Sequence, residues 1–320
     1  MKSIQRTTIL TLALAAAVGT MGATGVYAQD TGDAGTMRIA TGKKGKGYSK
    51  LFADIQSVCG GKVGISEVET EGGLHNVNAL AANEADLGFV QIDTLQDMKT
   101  TDDNIGALLA VLPLNSNLLH IVARTDGFAY EGPKKYAGMV KGDAITVNFD
   151  KISDLKSMPV ALVGSAQKLA RVIDRRNKLG MQAVDVETDD QALAMLKAGQ
   201  VAAVFSTSGW PSGVIGKLKR ESNFKLLGFD LPSAAPYQVV RKNYNNLGAY
   251  NVSFLAAPNL LVSRPFKANG VNGKAVATLQ SCIAKNINTL QEGRYEAAWG
   301  EVKNVNDTYG WPRFGETGKR

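Results

Sequence analysis

Apolar and polar positions in this chain fall into a unit that occurs twice. Residues 37–41 read as a strand, 42–47 as a loop rich in glycine and lysine, and 48–58 as a helix with Leu51, Phe52 and Ile55 on one face. Gly60 and Gly61 stop that helix. A strand over 62–70, a glycine turn at 71–73, a helix over 74–83 and an apolar strand over 87–90 complete the unit. The same order returns as strand 160–163, turn 164–167, helix 168–178, strand 183–187, helix 190–198 and strand 201–205. The two closing segments align Leu80 with Leu196, Asn83 with Gly199 and Phe89 with Phe205. Short loops between alternating strands and helices imply parallel pairing and right-handed crossovers. Each closing strand runs into polar residues, Gln91 and Asp93 in one case and 206–209 in the other. Strand carboxyl ends are where open α/β sheets bind ligands. The pattern predicts two α/β lobes, each with a mainly parallel sheet flanked by helices, facing one cleft.

The apolar run 118–123 suits a strand crossing between the lobes. Residues 126–151 read as a surface insertion with a hairpin through 145–149, and 153–155 as the start of a short helix. Further on come a strand at 224–229, a loop and return over 244–254 and a strand at 259–262. A long helix over 273–291 carries Val276, Leu279, Ile283, Ile287 and Leu290 on one stripe, and a short helix follows at 294–300. This reading assigns 29–123 plus 255–320 to lobe one and 124–254 to lobe two.

Residues 1–28 stand apart. Lys2 and Arg6 precede the apolar run 9–18, and Val26-Tyr-Ala28 is small at both cleavage-recognition positions. These features predict a secretory signal peptide cut before Gln29. The run is too short to span a bilayer comfortably, so an exported protein is expected. Net charge is +7, from 36 basic and 29 acidic residues. Lys2 and Arg6 belong to the signal segment, so the mature excess is modest. It fits a small anionic ligand and does not call for nucleic acid. Cys59 and Cys282 are the two cysteines. In an exported protein they form either a disulfide or two separate buried thiols.

His75 and His120 are too few and too separated for a metal site. No Ser/His/Asp order, Cys/His pairing or paired carboxylates stand out, so the chain does not read as an enzyme. Residues 42–47 lack the Gly-Lys-Ser/Thr ending of a phosphate loop, and no cofactor is expected. An anion needs donors, and glycine turns entering helices supply free N–H groups and a helix dipole. The turns at 42–47 and 164–167 sit in opposite lobes. Ser165 offers an N–H and a hydroxyl, with Gln167 beside it. Lys43 and Lys46 either add charge next to Gly47 or are solvated. Tyr48 either lines the cleft or packs at the helix start. Gly72 allows close backbone approach or makes a tight turn. Gln91 is placed to read a carboxylate or an amino group. Asp93 either pairs with a ligand ammonium or caps the helix that follows. Ser206, Gly209 and Trp210 complete the set from lobe two, Trp210 as a pocket wall or a structural corner.

Ile39-Ala-Thr-Gly42, Gly47-Tyr48, Gly72-Gly73 and Asn83-Glu-Ala-Asp-Leu-Gly-Phe-Val-Gln91 resemble the substrate-binding proteins of TRAP transporters, the TAXI class above all. Ile152-Ser-Asp-Leu-Lys156, Gly164-Ser165, Ala198-Gly-Gln-Val201 and Ser208-Gly-Trp-Pro211 continue the resemblance. It implies a two-lobe periplasmic-binding-protein-like (type II) fold. It also implies a periplasmic receptor that delivers a small carboxylate or an amino acid such as glutamate to a TRAP-type permease. An ABC importer, a sensor system or, less favoured, an exported hydrolase are the alternatives. The chain departs from the family pattern where Lys43, Lys44 and Lys46 replace small loop residues, where Ala166-Gln-Lys168 follows Ser165, and at Ala202.

Overall fold

The computed structural model describes residues 35–132, 142–233 and 235–316. The expected signal peptide lies outside the described residues. The first unit comprises β1 (Met37–Ala40), α1 (Gly47–Cys59), β2 (Ile65–Val68), α2 (Gly73–Ala81) and β3 (Leu87–Gln91). β1 pairs in parallel with both β2 and β3, giving the order β2-β1-β3. Helices α3 (Ile92–Met98) and α4 (Asp103–Gly106) lead to the long strand β4 (Leu109–Arg124). Strands β5 (Phe128–Glu131) and β6 (Ala144–Val147) form a separate hairpin. The second unit is β7 (Pro159–Val163), α5 (Ala166–Asn177), β8 (Gln182–Val186), α6 (Asp189–Lys197) and β9 (Ala203–Ser208). Its strands pair in parallel in the order β8-β7-β9, matching the first unit. Then come β10 (Phe224–Leu226), β11 (Gln238–Tyr244), β12 (Ala249–Ser263), α7 (Val271–Lys285) and α8 (Ile287–Leu290).

One sheet of ten strands joins the two units in the order β2-β1-β3-β12-β4-β9-β7-β8, with β10 on β4 and β11 on β12. Its middle is the antiparallel pair β12 and β4. The first half of β4 pairs with β12, and from Leu118 onward β4 pairs with β9. Likewise β12 pairs with β3 over Asn259–Ser263 and with β11 before that.

The repeated unit has a local cause. Asn83 and Gly199 both adopt positive φ, 62° and 70°. Behind them the Glu84 and Gln200 N–H groups reach back to the carbonyls of Ala79 and Met195, at 2.8 and 3.0 Å. The left-handed residue frees the chain to turn into the strand, and Asn tolerates that region nearly as Gly does. The inner strands of each unit are covered on both faces, while the edge strands β2 and β8 are partly or largely exposed. In lobe one, Leu87, Phe89 and Leu261 pack against α1 and α7, while Val90, Leu260 and Val262 pack against α2 and α3. In lobe two, Val160, Leu162 and Phe205 face α5, and Ala161, Val163 and Val204 face α6. Such two-sided burial is why these strands read as continuous apolar runs. Cys59, closing α1, and Cys282, in α7, are joined by a disulfide.

Several elements differ from expectation. The crossing strand is longer than 118–123, because β4 begins at Leu109 and contains Pro113. The supposed loop over 244–254 is the end of β11 and the start of β12. Pro258 lies inside β12 at a register shift, where a missing N–H is tolerated. The long late helix breaks at Asn286, whose side-chain amide donates to the Cys282 carbonyl at 2.8 Å. The expected helix at 294–300 is a 3-10 turn over Ala297–Glu301.

Candidate functional site

The carboxyl end of β3 meets β12 and β4 where both strands pass from one lobe to the other. Gln91 lies opposite Asn259 in the β3–β12 ladder, and Asn117 lies opposite Ala257 in the β12–β4 ladder. Their side chains form one hydrogen-bonded line with α1. Tyr48 Oη donates to Asn259 Oδ1 at 2.8 Å and accepts from Asn117 Nδ2 at 3.3 Å. Asn117 Nδ2 also donates to Gln91 Oε1 at 3.0 Å, and Gln91 Nε2 donates to Asp93 Oδ1 at 2.7 Å. The Tyr48 ring stacks on Phe89 with centroids 5.4 Å apart, which fixes its hydroxyl.

The line is buried yet unfinished. On the line, Asp93 Oδ2 and Asn259 Nδ2 have no hydrogen-bond partner among the described residues, and neither do Thr94 Oγ1, next to Asp93 in sequence, and Asn115 Oδ1, two residues before Asn117. Asp93 is 1% exposed. Burial pushes its carboxyl up to about 6, against the opposing effect of the Gln91 amide and the Asp93 and Thr94 backbone N–H groups. Tyr48 and, from lobe two, Tyr237 are both pushed up by burial, with a smaller push from the Asp93 carboxylate. Asp93 thus lies within electrostatic reach of a tyrosine from each lobe.

Backbone closes around this cluster. A methyl group built on Gly42 would lie 3.7 Å from Gly72 Cα and 3.9 Å from Tyr48 Cδ2. One built on Gly73 would lie 3.3 Å from Ser165 Oγ and 3.9 Å from the Gln91 nitrogen. Ser165 precedes α5 in lobe two, so the amino-terminal ends of α2 and α5 meet across the boundary. Gly72 needs its φ of 121°, a region closed to side chains. Lys168 Nζ, on α5, reaches Asp97 Oδ2, on α3, at 2.7 Å and ties the lobes together.

Tyr48, Gly72, Gln91 and Ser165 are therefore brought together. The remaining expected residues are placed differently. Lys43 pairs with Glu71 at 2.7 Å, both half exposed, and that hydrogen bond leads the causes that raise its pKa. Lys46 is exposed at the entrance to α1, and Gly47 is exposed beside it. Gln167 is half-buried in the first turn of α5, its N–H bonded to the Gly164 carbonyl at 3.0 Å. Ser206 Oγ donates to Asp189 Oδ1 at 2.6 Å, at the start of α6. Gly209 lies beside Asn115, with 3.5 Å between a methyl built on it and Asn115 Nδ2. Trp210 is 40% exposed under the Lys242 ammonium, 4.4 Å from its ring centre. Asn115, Asn117, Asn259 and Thr94 were not anticipated. For the three asparagines the signal is a polar residue interrupting an apolar strand run, as in Asn115-Ser-Asn117 and Pro258-Asn259; Thr94, inside α3, carries no such signal.

His120, on β4, forms a second buried polar centre. Its Nε2 lies 2.7 Å from Tyr244 Oη, which accepts from the Ser212 N–H at 2.8 Å. Desolvation lowers the imidazole to about 4. Two surface pockets, one beside Ile287 and Val302 and one beside Tyr130, share no residue with the Asp93 cluster. Among the described residues no group of His, Cys, Asp and Glu is placed to hold a metal ion. No described helix is long and apolar enough to cross a membrane.

A solved amino acid ABC transporter substrate-binding protein from Streptococcus pneumoniae, bound to L-arginine, aligns over 84% of this chain and 97% of its own, with TM-score 0.51 and 10% identity. The fold is periplasmic-binding-protein-like. A second L-arginine complex aligns over 83% of this chain and 91% of its own, with TM-score 0.50 and 11% identity. At these identities the likeness is one of architecture alone. No family model matches the sequence, and no curated protein matches it.

Proposed function

We propose that this chain is a periplasmic solute-binding receptor. It captures a small organic acid or amino acid between its lobes and passes it to a TRAP-type membrane permease. The observation that carries this reading is the buried line from Asn259 to Asp93, which leaves polar atoms unmatched at the lobe boundary. A purely structural polar core satisfies its buried donors and acceptors, so an unmatched set at strand carboxyl ends points to a ligand. The solute's negative end faces the N–H groups of α2 and α5, helices of 9 and 12 residues that meet at Gly73 and Ser165. The lobes are 29–123 plus 255–320 and 124–254, with the changeover in β4 drawn back toward Asn117, and they rotate about the β4–β12 crossing. A ligand touching both halves favours closure through its greater affinity for the closed state. The disulfide fits an oxidising compartment. The permease type rests on the motif resemblance in 39–91 and 152–211; an ABC importer would use the same architecture.

Native mass spectrometry of the mature protein, followed by release and identification of what it carries, tests the reading. We expect a one-to-one complex whose ligand is recovered unchanged. The double variant Gln91→Ala, Ser165→Ala keeps its fold and loses affinity by about tenfold or more, from two hydrogen bonds. A protein that retains no small molecule under any condition, or that converts the molecule it holds, overturns the proposal.

A further inference from the structure

Asp93 is the one buried charge in the cluster, and its surroundings do not neutralise it. Oδ1 accepts from an uncharged amide, Gln91 Nε2, and Oδ2 has no partner among the described residues. Two lysines near the cluster are committed elsewhere, Lys43 to Glu71 and Lys168 to Asp97, and Lys46 is exposed at the entrance to α1. The charge that acts on Asp93 from its own helix is that of Asp97, of the same sign. Tyr48 and Tyr237, from opposite lobes, lie close enough to feel the Asp93 charge. Beside Asp93 the Thr94 hydroxyl is also unmatched. A buried carboxylate with no counter-charge is costly. A carboxylate and a hydroxyl are what a cationic donor requires: acceptors for its N–H groups. Asn259 Nδ2, the unmatched donor in the set, suits an oxygen at the other end of the same molecule.

We propose that Asp93 selects solutes that carry an amine, holding the ammonium at Asp93 Oδ2 and Thr94 Oγ1, so that the receptor takes amino acids in preference to the corresponding plain carboxylic acids. This rests on the solute-binding reading and narrows it. It resolves the two roles open to Asp93 in favour of ligand contact: Asp93 lies inside the first turn of α3, whose amino-terminal end carries no side-chain cap.

The test uses the mature chain and calorimetry on matched pairs that differ by the amino group, such as L-glutamate with glutarate and L-leucine with 4-methylpentanoate. Any solute that copurifies is added with its deaminated counterpart. In the wild type the amine member of the bound pair is expected to bind about a hundredfold tighter. In Asp93→Asn, which keeps the side-chain shape, that preference falls to about tenfold or less while the deaminated acid binds as before or better. Thr94→Val, which leaves the carboxylate in place, reduces the amine preference by a smaller factor and serves if Asp93→Asn does not fold. Equal binding of both members, or tighter binding of the deaminated acid, overturns the role of Asp93 and leaves the receptor reading standing. If neither the panel nor a small-molecule cell extract stabilises the protein, the receptor reading fails and the inference with it.

Discussion

Replacing His120 with glutamine changes how stability responds to acid. The imidazole is fully buried on β4, between Tyr244 and Phe254, and burial lowers it from 6.5 to about 4. Tyr244, the titratable group in contact with it, is pushed up to about 12 by burial and stays neutral over the relevant range. The folded state therefore holds His120 neutral at pH values where the unfolded chain protonates it. Stability from this residue is complete above the unfolded value of 6.5 and is lost as pH falls toward 4. A shift of about 2.5 units at 1.36 kcal/mol per unit corresponds to about 3 kcal/mol. Asp93 has the opposite sign. Its folded value is raised from 3.8 to about 6, so its contribution is present at low pH and is lost as pH rises through 6, again by about 3 kcal/mol. In the wild type the two slopes oppose each other between pH 4 and 6. Urea denaturation of the wild type, His120→Gln and Asp93→Asn, in steps from pH 4 to 8 at constant ionic strength, separates them. The stability advantage of wild type over His120→Gln should shrink by about 3 kcal/mol on acidification, and the advantage over Asp93→Asn should grow. A difference curve for His120→Gln that stays flat across this range refutes the reasoning.

Three further outcomes follow from the geometry. The Cys59–Cys282 bridge spans 223 residues, so the Cys59→Ala, Cys282→Ala variant should lose up to about 5 kcal/mol by the chain-entropy estimate; denaturant midpoints measure this, and two reactive thiols in the unreduced, unfolded wild type would show that the bridge is absent. Asp97→Asn removes the partner of Lys168, a pair about one-third exposed, and should weaken ligand binding only about twofold, because such pairs contribute about 0.5 kcal/mol; a tenfold loss in calorimetry would contradict that weight. Gly73→Leu places bulk where a methyl already lies 3.3 Å from Ser165 Oγ, so it should hold the lobes apart and enlarge the radius of gyration in X-ray scattering without lowering helix content, whereas an unchanged radius would mean that Ser165 simply yields.

Local signals carried the repeated unit. Asn83 and Gly199 mark the same turn because each sits where only a left-handed residue lets helix pass into strand. What the local pattern missed was long-range pairing. Strands β4 and β12 contain Pro113 and Pro258, which break an apolar run for a reader of sequence yet are absorbed at register shifts in the ladder. Strand β11 went unread because Arg241, Lys242 and Asn243 give it the polarity of a loop, as suits an edge. Gln91, Tyr48 and Ser165 were visible as polar or donor-bearing residues at strand and helix ends. Asn117 and Asn259 were not, because their meaning depends on contacts such as Tyr48 with Asn259, 211 positions apart. Lys43 looked available until Glu71 came alongside it.

Two strands, β4 outbound and β12 on return, are the covalent paths between the halves, and Asn117 and Asn259 sit on them. In the proposed receptor the fulcrum and the sensor are thus made of the same few residues. In that receptor a substitution at Asn117 or Asn259 would alter grip and stiffness together.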